Sequence, residues 1–151
     1  MKILFTAIAP RRTRSNSEAA SRMLADYIAR SARYLPCEEQ SFNDEAAFLD
    51  WLDRQAGRTP AFAILLDSQG QQLSSTEFAR RLGDLRDGAT QRLVIAVGPA
   101  DGWSAGALQR AGLVFSFGRI TLPHQLARVV AAEQVYRALT ILAGHPYHSG
   151  H

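Results

Sequence analysis

Lysine is almost missing from this chain of 151 residues. Lys2 is the only one, and arginine supplies the rest of a basic side that leaves a formal net charge of +3. The guanidinium is a planar fork of donors suited to phosphate, so the charge allows a nucleic-acid partner without specifying one. Cysteine is equally scarce: Cys37 stands alone, which excludes an intrachain disulfide and a cysteine-based metal site. No apolar stretch approaches the roughly 20 residues of a membrane span. The apolar opening at residues 2–9 runs straight into Arg11, Arg12 and Arg14 with no small-residue cleavage site, unlike a signal peptide. Internal repeats, low-complexity tracts and linkers are also lacking, so one domain over residues 1–151 is expected, in the cytoplasm and with no membrane partner. What is present is ordinary for a globular protein, 46% hydrophobic and 21% charged, and sufficient to bury a core.

The hydrophobic pattern alternates strand and helix. Residues 2–8 read as a buried strand. Ser15-Asn-Ser-Glu18 carries a capping box for a helix whose Ala20, Met23, Leu24, Tyr27 and Ile28 recur at helical spacing. Cys37–Phe42 is a weaker strand. Asn43 is placed to cap a helix bearing Phe48, Trp51 and Leu52, which Gly57-Arg-Thr-Pro60 ends. Residues 61–66 form a buried strand, followed by a loop at Asp67-Ser-Gln-Gly70. Ser74-Ser-Thr-Glu77 caps a third helix, which Asp87-Gly88 breaks. Residues 92–97 give another buried strand, about 104–111 a short helix, and Leu113–Phe117 a last strand. Pro123 suits the first position of a long final helix through Leu126, Val129, Val130, Tyr136 and Leu139. Continuous apolar strands between amphipathic helices specify an α/β fold with a parallel sheet and helices on both faces.

Ligands of parallel α/β proteins bind beyond the carboxyl ends of the strands. Here the loops after Leu66, Val97 and Phe117 qualify. Each holds a glycine (Gly70, Gly98 with Gly102, Gly118) through which backbone could approach a ligand closely. Glycine after a strand is equally a common turn residue; it is the recurrence in three loops that points to a shared small-molecule site. None of them matches a dinucleotide fingerprint or a phosphate-binding P-loop. His124 follows Pro123 at a helix start, where it reads as a surface or capping histidine. The tail Gly144-His-Pro-Tyr-His148 gathers histidines, but His145, His148 and His151 match no standard zinc spacing and no metal is expected. No nucleophile triad or carboxylate pair stands out.

Three runs carry more: Thr121-Leu-Pro-His124, then Val129-Val-Ala-Ala-Glu-Gln-Val-Tyr-Arg137, then His145-Pro-Tyr-His148. In these the chain resembles the 23S ribosomal RNA pseudouridine-N3-methyltransferases, small enzymes of the SPOUT class, most strongly from Ala63 to the C-terminus. The resemblance implies a deep C-terminal trefoil knot and S-adenosyl-L-methionine as cofactor, bound through the three loops. Leu66 would contact it after the first strand, Gly98 would open the second loop, and Phe117, Gly118, Arg119, Ile120, Thr121 and Leu122 would form the third wall. It further implies methyl transfer to the N3-position of a pseudouridine in 23S ribosomal RNA, on the large subunit or assembled ribosome, with no role for DNA. His148 and Tyr147 are then candidates to approach the base, and Arg137 or Arg128 to hold a phosphate or stabilise uracil oxygens. A homodimer is implied too, one subunit's tail completing its partner's site.

The chain also departs from that family. Its second loop reads Gly98-Pro-Ala-Asp-Gly102 where relatives usually have Gly-Gly-Pro-Glu-Gly, and Pro99 removes a backbone donor. Residues 37–57 are acidic where many relatives carry a lysine- and glycine-rich loop, which moves expected RNA contacts toward Arg11, Arg12 and Arg14. Two other readings stay open: a non-catalytic ribosome-associated RNA-binding module with a decayed cofactor pocket, and a SPOUT methyltransferase acting on transfer RNA.

Overall fold

In a computed structural model, residues 1–10, 18–55 and 59–149 are described. The capping box at Ser15, the arginines at 11, 12 and 14, Gly57 and His151 lie outside them. The elements run β1 (Lys2–Ile8), α1 (Glu18–Ser31), β2 (Cys37–Phe42), α2 (Glu45–Gln55) and β3 (Phe62–Gln72). After them come α3 (Ser75–Asp87), β4 (Arg92–Val97), α4 (Ala105–Arg110), β5 (Leu113–Ser116) and α5 (His124–Leu142). The five strands form one sheet in the order β2-β1-β4-β3-β5, and every pairing is parallel.

Side chains alternate across a strand, so a continuous apolar run feeds two cores at once. In β4, Leu93 and Ile95 enter one core while Val94 and Ala96 enter the other; in β1 the same division separates Ile3 and Phe5 from Leu4 and Ile8. The first core is closed by α1, α3 and α5 through Leu24, Phe78, Leu82, Val129, Val135 and Leu139. The second is closed by α2 and α4 with Phe48, Trp103 and Ala107. Helix α5 packs against both α1 and α3. Its small residues Ala131, Ala132 and Ala138 let neighbours come close, and Leu142 reaches over Gly83 of α3, where a Cβ would lie 2.9 Å from its Cδ2 and make that side chain shift. No helix among the described residues is long and apolar enough to cross a membrane.

The α/β parallel-sheet expectation therefore holds, with four local corrections. Asp44, not Asn43, caps α2, its Oδ1 accepting from the Ala47 N–H at 2.8 Å. Pro123 is the N-cap of α5 rather than its first helical residue, with its backbone still extended. Phe117 lies just beyond β5. Strand β3 does not stop at Leu66: it continues to Gln72, rejoining β5 after a register shift between Leu66 and Gln71. Within that irregularity Gly70 lies so close to β5 that a Cβ would sit 2.7 Å from the Val114 carbonyl carbon. Its glycine therefore serves strand-to-strand approach, not a ligand.

The expected cap of α3 is present in full. Ser74 Oγ accepts from the Glu77 N–H, and the Glu77 carboxylate accepts from the Ser74 N–H at 2.7 Å. These bonds, backbone first, hold the Glu77 carboxyl below its usual range. Ser74→Ala should lower stability by about 1 kcal/mol, read as a fall in the denaturation midpoint with an unchanged m-value.

Candidate cofactor cavity at the carboxyl edge of the sheet

Because all five strands are parallel, their carboxyl ends share one edge. A cavity of about 560 Å³ opens there, within the range of small-molecule sites. Its first wall is Leu66–Ser68 of β3; its second is Val97, Gly98, Pro99, Ala100 and Gly102 after β4. Phe117, Gly118, Ile120, Thr121 and Leu122 after β5 make the third, and Pro123, His124 and Ala127 of α5 complete it. The expected cofactor residues thus come together, with one exception: Arg119 is exposed and does not line the cavity. Gly102 and Gly118 both adopt positive φ (89° and 117°), the left-handed backbone that favours glycine, so they shape the loops by conformation.

Two cross-ties hold these walls together, and neither was legible in the sequence. The Trp103 indole N–H donates to the Leu66 carbonyl at 3.0 Å. The same ring covers Gly98, where a Cβ would lie 2.7 Å from its Cε2. Gly98 is therefore bare to seat the indole, and its backbone also lines the cavity. The second tie is Ser116, buried at 3% exposure. Its Oγ accepts from the Gly118 N–H at 3.0 Å and stands 3.1 Å from the Ser68 carbonyl, linking the third loop to the first.

His124 is neither a surface nor a capping histidine, since α5 has no side-chain cap. Its ring bonds to the Ile8 backbone, while Nε2 is buried with no hydrogen-bond partner among the described residues. Burial, then the nearby Arg128 charge, lowers its pKa, so the ring is neutral near pH 7. The cavity lining has no lysine or arginine among the described residues, and Asp67 is its one carboxylate. Such a lining suits a ligand with an apolar ring and a positive centre.

The other candidates lie elsewhere. Arg137, Tyr147 and His148 converge on Glu133: Arg137 Nη2 and the Tyr147 hydroxyl donate to Glu133 Oε1 at 2.6 and 3.0 Å. Arg137 also stacks 4.9 Å above the Tyr147 ring, and its Nη1 is 3.2 Å from His148 Nδ1. A guanidinium only donates, so Nδ1 accepts and the imidazole proton sits on Nε2. Burial and the bonds to Tyr27 and Glu133 raise the Tyr147 pKa, keeping the phenol a donor. Arg128 is separate, paired with Glu39 at 2.7 Å. None of the four lines the cavity. Ala127, which does, is ten residues before Arg137 on α5, about 15 Å at the rise of a helix.

An all-parallel α/β sheet with a three-loop cavity at its carboxyl edge defines the class that family comparison then names. Residues 1–148 match the model of the predicted SPOUT methyltransferases, and the chain belongs to that family. Enzymes of this class take their methyl group from S-adenosyl-L-methionine, whose adenine ring and sulfonium suit the lining just described. More particularly, the chain is 44% identical over 138 residues to the ribosomal RNA large subunit methyltransferase H of Koribacter versatilis, covering 91% of this chain and 94% of that one. It is 54% identical over 95 residues to the protein of the same name from Mesorhizobium japonicum, covering 62% of this chain and 59% of the other. Among solved structures it is similar to the SpoU methyltransferase AviRb from Streptomyces viridochromogenes in complex with AdoMet, with 16% identity and a TM-score of 0.46 over 96% of this chain and 58% of that chain.

Two outcomes follow. Trp103→Phe keeps the bulk but strips the Leu66 carbonyl of its donor, and Gly98→Ala displaces the indole. Each should weaken S-adenosylmethionine binding about fivefold by calorimetry while the folded far-ultraviolet spectrum persists, the loss of one buried hydrogen bond being about 1 kcal/mol. The unfolded chain binds a proton at His124 near pH 6.5, its ordinary value, and the folded chain only at lower pH. Stability should therefore decline as pH falls from 6.5 toward the lowered folded value, and denaturant titrations should show part of that slope removed in His124→Gln.

Proposed function

We propose that this protein transfers a methyl group from S-adenosyl-L-methionine to large-subunit ribosomal RNA, at the N3-position of a pseudouridine. The observation that carries the reading is the cavity formed by the expected three loops, in a chain 44% identical over nearly its full length to a protein named for that RNA. In the bound state the cofactor supplies an electrophilic methyl on a sulfonium. Leu66, Phe117 and Leu122 provide apolar surface for its ring. Neutral His124 and the Asp67 carboxylate spare the positive centre any repulsion. A soluble, cytoplasmic enzyme follows from the same reading, as does the trefoil knot of the class.

The separation of the tail from the cavity favours a homodimer. Within one subunit none of Tyr147, His148 and Arg137 lines the cavity their own chain builds. A partner's tail would place them there. Tyr147, held as a phenol, would donate to a uracil oxygen as negative charge develops, and Arg137 would stabilise the same charge. His148 would accept the N3 proton once its bond to Arg137 is released. Arg128 would contact phosphate after exchanging Glu39 for it. The reading of a decayed cofactor pocket draws its one support from Pro99, yet Gly102 N–H still bonds the Pro99 carbonyl at 2.9 Å and the loop keeps its turn.

The direct test incubates the protein and radiolabelled S-adenosylmethionine with ribosomes, isolated large subunits and transfer RNA. Label should enter 23S RNA and not transfer RNA; label in transfer RNA alone would replace the substrate. Tyr147→Phe and His148→Ala should lower transfer at least about tenfold with cofactor affinity retained, since neither residue lines the cavity. Unchanged transfer in both removes the tail from the mechanism.

A further inference from the structure

Just past α5, Gly144 adopts a φ of 71° and turns the chain back along the helix it has left. The reversal lays Tyr147 against Tyr136, with ring centroids 4.7 Å apart, and brings its hydroxyl to Glu133. The Glu133 side chain is only 17% exposed, so its carboxylate must find donors inside the protein. Oε1 accepts from Arg137 Nε at 3.0 Å, from Arg137 Nη2 at 2.6 Å and from the Tyr147 hydroxyl at 3.0 Å. Oε2 accepts from Gln134 Nε2 at 2.7 Å.

The Gln134 bond is itself supported. A carboxylate only accepts, so the Gln134 amide must present its NH2 group to Glu133 and its oxygen to the other side. There the Ser75 hydroxyl donates to that oxygen at 2.9 Å. Ser75 is the first residue of α3, so the carboxylate is fixed from a second helix as well as from its own. Ser75, Gln134 and Glu133 belong to neither apolar core.

Arg137 is thereby gripped along one edge. Its Nε and Nη2 are engaged by Glu133, which leaves Nη1 for His148. The roles given to the tail require two bonds to break: His148 Nδ1 must leave Arg137, and the Tyr147 hydroxyl must leave Glu133. A hydroxyl rotates in place and an imidazole moves with the tail. An arginine set loose at the same moment would lose the position from which it stabilises charge, and misplacement of such a group is costly. We propose that Glu133, oriented by Gln134 and Ser75, is a positioning residue that holds the Arg137 guanidinium while Tyr147 and His148 exchange their bonds for bonds to the RNA base. The proposal rests on the RNA-methyltransferase reading and on the tail's part in it, and adds the brace behind the tail. Once His148 has left, Nη1 is the donor that a still-anchored Arg137 offers to the base.

The brace can be cut without touching the groups that meet the base. Gln134→Leu and Ser75→Ala do so, and Ser75→Thr keeps the hydroxyl. With ribosomes as substrate, Gln134→Leu should lower kcat about fivefold, the usual effect of one lost hydrogen bond, with KM and S-adenosylmethionine affinity within about twofold of wild type. Ser75→Ala should fall in the same direction, and Ser75→Thr should recover the wild-type rate. In an Arg137→Met background, Gln134→Leu should lower the residual transfer by less than about twofold more, because the brace acts through Arg137. Losses that simply add, or an unchanged kcat in both Gln134→Leu and Glu133→Gln, overturn the proposal. A second readout needs no turnover. In 15N-histidine-labelled protein, with His148 assigned by its loss in His148→Gln, the ring should be the Nε2–H tautomer in the wild type and a mixture of tautomers in Glu133→Gln. A His148 ring indifferent to Glu133 also overturns the brace. Should the wild type transfer no methyl to any RNA, the functional reading fails, and the His148 ring still decides the brace.

Discussion

Water reaches neither face of β1 from Ile3 to Ile8, of β4 from Leu93 to Val97 or of β3 from Ala63 to Leu65, and much else in this molecule follows from that. A strand buried on both sides must be apolar at every position, and its neighbours must be covered by helices on both faces. Crossover helices supply that cover and make each connection parallel. Parallel strands in turn put every carboxyl end at one edge. The loops that must turn from strand to helix are thereby crowded together, which is why a cavity forms there without any residue being dedicated to making it.

Crowding alone would leave those loops free to move. They are joined by two side chains, the Trp103 indole on Leu66 and Gly98, which also packs in the second core, and the Ser116 hydroxyl between Ser68 and Gly118. Both are polar groups whose bonds go to backbone of a different loop, so each fixes a distance between walls. A binding site on irregular backbone needs such bracing to be preorganised, since otherwise the ligand must supply the ordering free energy itself.

Much of this was legible in the sequence, and the limits are physical. Strands β1, β2 and β4 have their expected bounds because local apolar runs define them. Strand β3 outran its expectation because Asp67-Ser-Gln-Gly70 has the composition of a turn, while what continues the strand is pairing of Gln71 and Gln72 with β5, far away in sequence. Pro123 could be seen as a helix boundary, but not which side of it the helix began. The loops that line the cavity were visible as glycine-bearing turns, and the cofactor contacts expected of them came from resemblance. Trp103, Ser116 and His124 could be assigned roles only once separate loops were brought side by side. A buried tryptophan in need of an acceptor was the one signal that could have flagged the first of them. The distance between tail and cavity belongs to the helix that separates them and is invisible until that helix is built.

The scarcity of lysine has a practical side. Lys2 begins β1 and pairs with Glu38 at the start of β2, so the chain's sole primary side-chain amine stands at the amino edge of the sheet. Amine-directed coupling would tether every molecule by that edge and in one orientation. The cavity would then face outward from the support, and a dye attached the same way would report from the far side of the sheet without entering it.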